Sequence, residues 1–236
     1  MGESAQQGID VSLVQKSLGR PTASSTIVFQ PDGELFAAFA DMEICAAMDR
    51  AFVQNRWLRI ERAALVFAEA NLPADSLAWL IAGCREHELD LVLDAASPSG
   101  ARNLPLNLNG VALLICNADE ARAVLGDDID TDTRAMAGAL CQRGARAAIV
   151  TAGADGASHA AGDGVRHYPA PQVAVTDTSG AGDAFVAGVL YGRLRGLEME
   201  AAIRAGHEAA AMTLRSEDAN CPELAPEAVL PQRSGG

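Results

Sequence analysis

The chain has 236 residues, of which 49% are hydrophobic and 4% aromatic, and its formal net charge is −13. This length corresponds to one ordinary domain, or one domain with a small appendage, whose core must consist mainly of Ala, Val and Leu. The negative charge argues against nucleic acid and anionic membranes as partners, so an anionic ligand must be held by helix N-termini or metal ions.

The first predicted element is a β-hairpin. Residues 26–30 and 34–40 are β-like runs on either side of the turn tripeptide 31–33 (Pro-Asp-Gly). A hairpin cannot belong to the parallel core of a doubly wound sheet. We therefore interpret residues 1–45 as an N-terminal segment with a small β lid, followed by an α/β core over residues 46–236.

The middle of the chain alternates short apolar runs with amphipathic stretches. Runs of this kind are typical of parallel strands that are buried on both faces, and they occur at 65–68, 89–93, 111–115 and 147–150. Helical patterns occur at 74–86, 119–125, 131–143, 181–195 and 199–214, and short strand-like pieces near 157–160 and 165–168. The alternation predicts an α/β fold, with a doubly wound, mostly parallel sheet flanked by helices.

Polar residues follow all four predicted parallel strands, at the edge where open α/β sheets bind ligands. In strand order they are Glu69 and Asn71, then Asp94, then Asn117 and Glu120, then Thr151, Gly153 and Gly156. The segment of Asn117 alone favours a helix N-cap with Glu120 as its capping-box partner. A ligand role is compatible with the cap, because the same Glu can order waters around Mg²⁺. The convergence of these residues at one edge favours a binding site.

The run 176–187 (TDTSGAGDAFVA) is a small-residue turn that opens an apolar helix. Glycine lets a backbone approach a ligand closely, and a helix start presents N–H groups that favour negative charge. Asp183, on the first turn, is either an acidic residue favoured by the helix dipole or a base beside a phosphoryl group. The run alone leaves both interpretations open.

Three stretches together resemble the PfkB (ribokinase-like) family of sugar and nucleoside kinases. The run 177–183 (DTSGAGD) resembles its second signature, Asn117-x-x-Glu120 its magnesium motif, and 150–156 (VTAGADG) its nucleotide-side strand end. They occur in the family's order across about two-thirds of the chain. The resemblance implies ATP-dependent phosphorylation, with Asp183 as catalytic base and an anion hole formed by Gly180, Ala181 and Gly182.

The same resemblance implies the cofactor and metal residues. Asn117 and Glu120 would organise Mg²⁺ with the ATP phosphates, while Asp177 and Ser179 match positions that hold a monovalent cation, usually K⁺. The implied nucleotide-binding residues are Thr151, Gly153 and Gly156.

Two shorter stretches resemble the pseudouridine-kinase subgroup. One comprises 22–26, the 32–34 turn and 40–44 (ADMEI), and the other is 216–224 (SEDANCPEL). We therefore expect pseudouridine to be converted to pseudouridine 5′-phosphate, with substrate-binding residues Asp41, Asn71 and Asp183. A kinase for a pentose or another nucleoside is the alternative.

One departure from the family concerns its first strand and Gly-Gly segment, which have no counterpart here. By this comparison roughly 60–80 residues of the usual architecture are missing. A truncated, non-catalytic nucleotide-binding homologue is therefore a rival expectation. A dinucleotide-binding dehydrogenase fits poorly, because no G-x-G-x-x-G turn follows the first strand.

The remaining expectations concern partners and location. The five cysteines are widely spaced without a C-x-x-C pair, which indicates reduced thiols rather than a zinc site or disulfide framework. No apolar run approaches the about 20 residues of a membrane span, and no signal peptide is visible. We expect a cytoplasmic protein with a small-molecule substrate, no nucleic-acid or membrane partner, and a homodimer through the lid. The histidines show no catalytic setting, and Trp57 and Trp79 are expected to be packing residues.

Overall fold

The computed structural model describes residues 2–30, 35–162 and 164–230. After a short helix α1 (Gly2–Gln6), the strands β1 (Ser24–Phe29) and β2 (Leu35–Asp41) form a separate antiparallel ribbon. The predicted hairpin strands are therefore present, and β1 begins at Ser24 instead of Thr26. The predicted turn at 31–33 lies outside the described residues.

A six-stranded sheet forms the centre of the molecule. Its strands lie in chain order: β3 (Val66–Glu69), β4 (Leu91–Asp94), β5 (Leu113–Asn117), β6 (Ala147–Thr151), β7 (Ala157–Ala161) and β8 (Gly164–Tyr168). β3 to β6 pair in parallel, whereas β7 and β8 add on antiparallel. The predicted mostly parallel sheet is confirmed.

Helices of the predicted kind flank this sheet. The longer ones are α4 (Ala74–Glu86), α6 (Ala118–Leu125), α7 (Thr133–Gln142), α8 (Ala181–Leu194) and α9 (Met199–Arg215). Four further helices are too short for a periodic pattern: α2 (Arg50–Gln54), α3 (Trp57–Ile60), α5 (Pro98–Ala101) and α10 (Pro226–Val229). Single-turn 3₁₀ helices occupy Glu43–Ala47 and Gly153–Asp155.

Alternate residues of the strands pack against opposite helix layers, because successive strand side chains point to opposite faces. Leu91 and Leu93 belong to the core on the side of α4, α6 and α7, whereas Val92 belongs to the core on the side of α8 and α9. Both cores are therefore built on one sheet, which confirms the doubly wound arrangement.

The helices α8 and α9 are in backbone contact. A Cβ on Gly188 would lie 2.6 Å from the carbonyl oxygen of Ala205, and a Cβ on Gly206 would lie 2.8 Å from that of Phe185. Since glycine carries no Cβ, the two backbones can approach this closely. The start of α8, where Asp183 lies, is thereby fixed relative to α9.

The expected packing role of the two tryptophans is also confirmed. Trp57 and Trp79 pack edge to face at 5.1 Å, beside the core under α4. The five cysteines carry free thiols. Among the residues that the structure describes, no helix is long and apolar enough to cross a membrane.

Candidate active site

The polar residues at the strand ends lie side by side, as predicted from the sequence. Glu69, Asp94, Asn117 and Thr151 are the last residues of their strands rather than the first residues after them, since the ladder continues past each apolar run. Glu69 of β3 pairs with Asp94 of β4, and Asn117 of β5 pairs with Thr151 of β6. The carboxyl edge of the sheet therefore carries two polar pairs, and Asn117 lies two positions beyond Ile115, the residue that faces Asp94 across β4 and β5.

Asp94 lies at the centre of a group of carboxylates. Burial, together with the smaller effect of the nearby charges of Glu120, Glu69 and Asp183, raises its pKa to about 6. The N–H of Ala96, which donates to Asp94 Oδ1 at 3.0 Å, acts in the opposite direction. This coupling shows that Asp183, on the first turn of α8, faces the same edge as the strand-end residues.

Asn117 and Glu120 form a complete capping box at the start of α6. The N–H of Glu120 donates to Asn117 Oδ1, while the N–H and Nδ2 of Asn117 donate to the two carboxylate oxygens of Glu120, all at 2.9 Å. Glu120 is 7% exposed, and burial raises its pKa against the effect of the Asn117 N–H. The cap interpretation is confirmed, and it holds the carboxylate of Glu120 in one orientation.

The start of α8 presents unpaired N–H groups. Gly180 has φ +76°, and a Cβ there would collide with the carbonyl oxygen of Ala219. The space beside Gly182 is open. Among the described residues, the N–H groups of Gly182 and Asp183 have no acceptor. Asp183 itself is exposed, so its carboxylate is accessible next to these donors.

The turn 153–156 follows β6 and depends on two glycines with positive φ, Gly153 at +54° and Gly156 at +102°. Inside the turn, the N–H of Ala152 donates to the Gly156 carbonyl at 2.7 Å. A Cβ on Gly156 would collide with the carbonyl oxygen of Tyr168. Only glycine therefore allows the turn to lie against the end of β8.

Asp177 and Ser179 form a local turn just before α8. The N–H of Ser179 donates to Asp177 Oδ1 at 2.7 Å, and this bond lowers the pKa of Asp177. The N–H of Thr176 donates to the Leu214 carbonyl at 2.7 Å, which attaches the segment to the end of α9.

The two remaining predicted substrate residues are placed differently. Asn71 lies at the carboxyl edge, where its Nδ2 donates to Glu69 Oε2 at 3.0 Å. Asp41 lies exposed at the end of β2 and accepts from the N–H of Glu43 at 3.1 Å. Among the described residues, no hydrogen bond or ion pair joins Asp41 to Glu69, Asp94, Glu120 or Asp183, whereas Asn71 contacts Glu69 directly.

Sequence reasoning missed two residues here. Asp94 was visible as a strand-end carboxylate, but its burial among three other carboxylates was not. Asn103 supports the turn that carries Asn71, since its Nδ2 donates to the carbonyls of Ala70 at 3.0 Å and Leu72 at 3.3 Å. Ala70 is 33 positions away in sequence, so no local pattern indicates the contact.

Comparison with known proteins decides the family. Residues 1–225 match the profile of the pfkB family carbohydrate kinases. The chain belongs to this family. The predicted resemblance is therefore confirmed at the level of the family.

Among the relatives of this pfkB-family chain is the pseudouridine kinase of Escherichia coli strain K12. It is 25% identical over 222 residues, which are 93% of this chain and 70% of the relative. A second Escherichia coli protein, described as a sugar kinase, is 24% identical over 97% of this chain, and the match spans 63% of that protein.

Solved structures confirm the ribokinase-like fold. A carbohydrate kinase from Agrobacterium tumefaciens is 31% identical, with a TM-score of 0.72, over 90% of this chain and 68% of that protein. The ribokinase of Thermotoga maritima is 19% identical, with a TM-score of 0.74, over 89% of this chain and 68% of that protein.

Replacing Asp94→Asn should stabilise the protein at neutral pH. Its pKa is about 6 in the folded state against an ordinary value of 3.8. The folded state disfavours the ionised form of Asp94. The free energy of unfolding of the wild type therefore falls by roughly 1–3 kcal/mol as the pH rises from about 4 to 6. In urea unfolding, we expect the free energy of unfolding of the variant to exceed that of the wild type by this amount at pH 7.5. At pH 4 the two values should be nearly equal.

The matched control for this measurement is Asp128→Asn, because Asp128 lies exposed in the loop between α6 and α7. It should show no stability difference at either pH. Equal stability of wild type and Asp94→Asn at pH 7.5 would contradict the prediction.

Proposed function

We propose that this chain transfers the γ-phosphoryl group of ATP to a hydroxyl of a sugar or nucleoside. One observation carries the proposal: Asp183 and free N–H groups of the first turn of α8 share a sheet edge with Asn117, Glu120 and the 153–156 turn. Phosphoryl transfer requires alignment and charge stabilisation more than covalent chemistry, and this edge offers both. Membership of the pfkB family supports the same reaction class.

In the proposed reaction Asp183 acts as general base. Its exposed carboxylate accepts the proton of the acceptor hydroxyl, whose oxygen forms the new bond to phosphorus while the bond to ADP breaks. Of the predicted anion hole of Gly180, Ala181 and Gly182, the Ala181 N–H donates to the Thr178 carbonyl at 3.4 Å. The unpaired N–H groups of Gly182 and Asp183 would therefore contribute most, beside Gly180 and Ala181, to stabilising charge on the moving phosphoryl group. The open space at Gly182 leaves room for that group.

The proposed cations are Mg²⁺ and K⁺. Each carboxylate oxygen of Glu120 accepts one bond from Asn117 and keeps a lone pair, which fits a residue that binds Mg²⁺ or its waters. In the described part of the chain no three acidic, His or Cys side chains form a metal cluster. When bound, Mg²⁺ would neutralise negative charge on the phosphates. Asp177 and Ser179 offer oxygen atoms for K⁺ beside the start of α8.

For the substrate we propose pseudouridine, which would become pseudouridine 5′-phosphate. The support is the pseudouridine kinase among the relatives and the likeness of the lid and of residues 216–224 to that subgroup. We propose that residues 1–45 act as the lid and residues 46–236 as the kinase core, with Asn71 and Asp41 contacting the substrate. Location in the cytoplasm stays a prediction.

A substrate panel tests this choice. Purified chain should be assayed for ADP formation with pseudouridine, uridine, ribose and adenosine in the presence of ATP, Mg²⁺ and K⁺. We expect the highest kcat/KM for pseudouridine. A higher value for ribose or adenosine would favour the pentose or nucleoside alternative. ADP binding without turnover, also in a version extended upstream, would favour a non-catalytic homologue.

Replacing Asp183→Asn should lower kcat by about 10²–10⁴, the range for loss of a general base, with little change in substrate affinity. The control is Glu200→Gln, because Glu200 is an exposed carboxylate on the first turn of α9, at the far end of α8. That variant should retain wild-type kcat. An Asp183→Asn protein with wild-type turnover would remove Asp183 from the mechanism.

We also propose that the β1–β2 ribbon mediates a homodimer. An isolated two-stranded ribbon is marginally stable in water, and this one exposes Phe36 (71%) and Phe39 (65%). Because both residues are exposed, a second copy of the ribbon can cover them. Phe36→Ser combined with Phe39→Ser should shift sedimentation to monomer, whereas Leu194→Ser, another exposed apolar residue, should leave the dimer intact. A monomeric wild type would overturn the proposal.

A further inference from the structure

A chain of side-chain hydrogen bonds ends on the 153–156 turn. Thr133 Oγ1, at the start of α7, lies 2.7 Å from Ser158 Oγ on β7. Ser158 Oγ lies 3.1 Å from His167 Nδ1 on β8, and His167 Nε2 lies 2.8 Å from the backbone carbonyl oxygen of Asp155. Three elements of the fold are thus connected to one carbonyl group of the turn.

The direction of every bond in this chain follows from its last member. A carbonyl oxygen only accepts, so Nε2 of His167 must carry the proton and donate to Asp155. Nδ1 of the neutral ring then accepts, which makes Ser158 the donor to it. The hydroxyl oxygen of Ser158 is left to accept from Thr133. The bonding partners therefore select one tautomer and one ring orientation of His167.

The bond from His167 holds a peptide group of the turn that the hydrogen bonds within the turn leave free. Within the turn, the N–H of Asp155 donates to Ala152 and the N–H of Gly156 donates to Gly153, both at 3.1 Å. The carbonyl of Asp155 takes part in neither bond and accepts only from His167 among the described residues. His167 thus determines the tilt of this peptide group relative to the sheet.

Burial makes this connection firm on one side and leaves the turn accessible on the other. Ser158 is fully buried, so its hydroxyl cannot exchange His167 for water. Gly153, Ala154 and Asp155 are exposed, so a ligand can reach them. A rigid support behind an open backbone turn is the arrangement that preorganised binding sites require.

We propose that His167 is a positioning residue that holds the 153–156 turn in the conformation that binds the nucleotide, supported by Ser158 and Thr133. This inference rests on the proposed function, because it assigns the turn to ATP. His167 itself contacts only the protein and takes no part in the chemical step.

The test replaces His167→Phe, which keeps the ring volume and removes both bonds. Loss of a bond of this kind corresponds to about a three- to tenfold weakening. We therefore expect the KM for ATP to rise by that factor while kcat stays within about twofold. His167→Gln, whose amide N–H can reach the Asp155 carbonyl, should restore the KM, and Ser158→Ala should give a smaller rise.

The control is Val165→Ala, on the same strand and the same face as His167, which should leave the KM for ATP unchanged. A second readout needs no catalysis: amide exchange of Asp155 and Gly156, measured by NMR without nucleotide, should accelerate in His167→Phe and not in the control. Unchanged exchange and KM, or a lower melting temperature alone, would overturn the positioning role. Faster exchange in a protein that binds no ATP would support the positioning role and reject the proposed function.

Discussion

Parallel strand pairing is the constraint on which the rest of this structure depends. Because β3 to β6 run in the same direction, all four strands end at one edge, where the last residues of β3 and β4 pair with each other and so do those of β5 and β6. Each strand changes there from apolar to polar without interrupting the ladder, since backbone pairing is independent of the side chain. The same four strands thus provide both the core and one edge of functional groups that are distant in sequence.

The charge at this edge explains why cations belong to the proposed reaction. Asp94, Glu69, Glu120 and Asp183 interact electrostatically, and the whole chain carries a net charge of −13. A polyphosphate would be repelled by this group unless positive charge entered with it. The capping box adds a second property, because it fixes the carboxylate of Glu120 before any ligand arrives. The side chains of Asn117 and Glu120 therefore cap α6 and are also the ones proposed to bind Mg²⁺ or its waters.

The sequence was informative where structure follows from local pattern. Apolar runs predicted the four parallel strands, and the Asn117–Glu120 cap was predicted because a capping box is contained within one helical turn. What could not be predicted depends on contacts between distant segments. The burial of Asp94, the support from Asn103 and the bond from His167 to the Asp155 carbonyl all require strands and loops to be assembled first. Asp41 is an intermediate case, since its motif is local but the contacts that it makes depend on how the ribbon packs.

The contact between α8 and α9 has a consequence for how the protein opens and closes. Gly188 and Gly206 leave no gap between the two backbones, so the first turn of α8 moves only together with α9. The proposed base and its neighbouring N–H groups then keep their place relative to α9. The β1–β2 ribbon is held differently: it leads into the 3₁₀ turn Glu43–Ala47 on one side, and on the other side follows a segment that Arg56 and Arg59 bind at the Leu13 carbonyl and at Asp10. If the ribbon acts as the proposed lid, its opening would depend on these two connections and not on any movement of the first turn of α8.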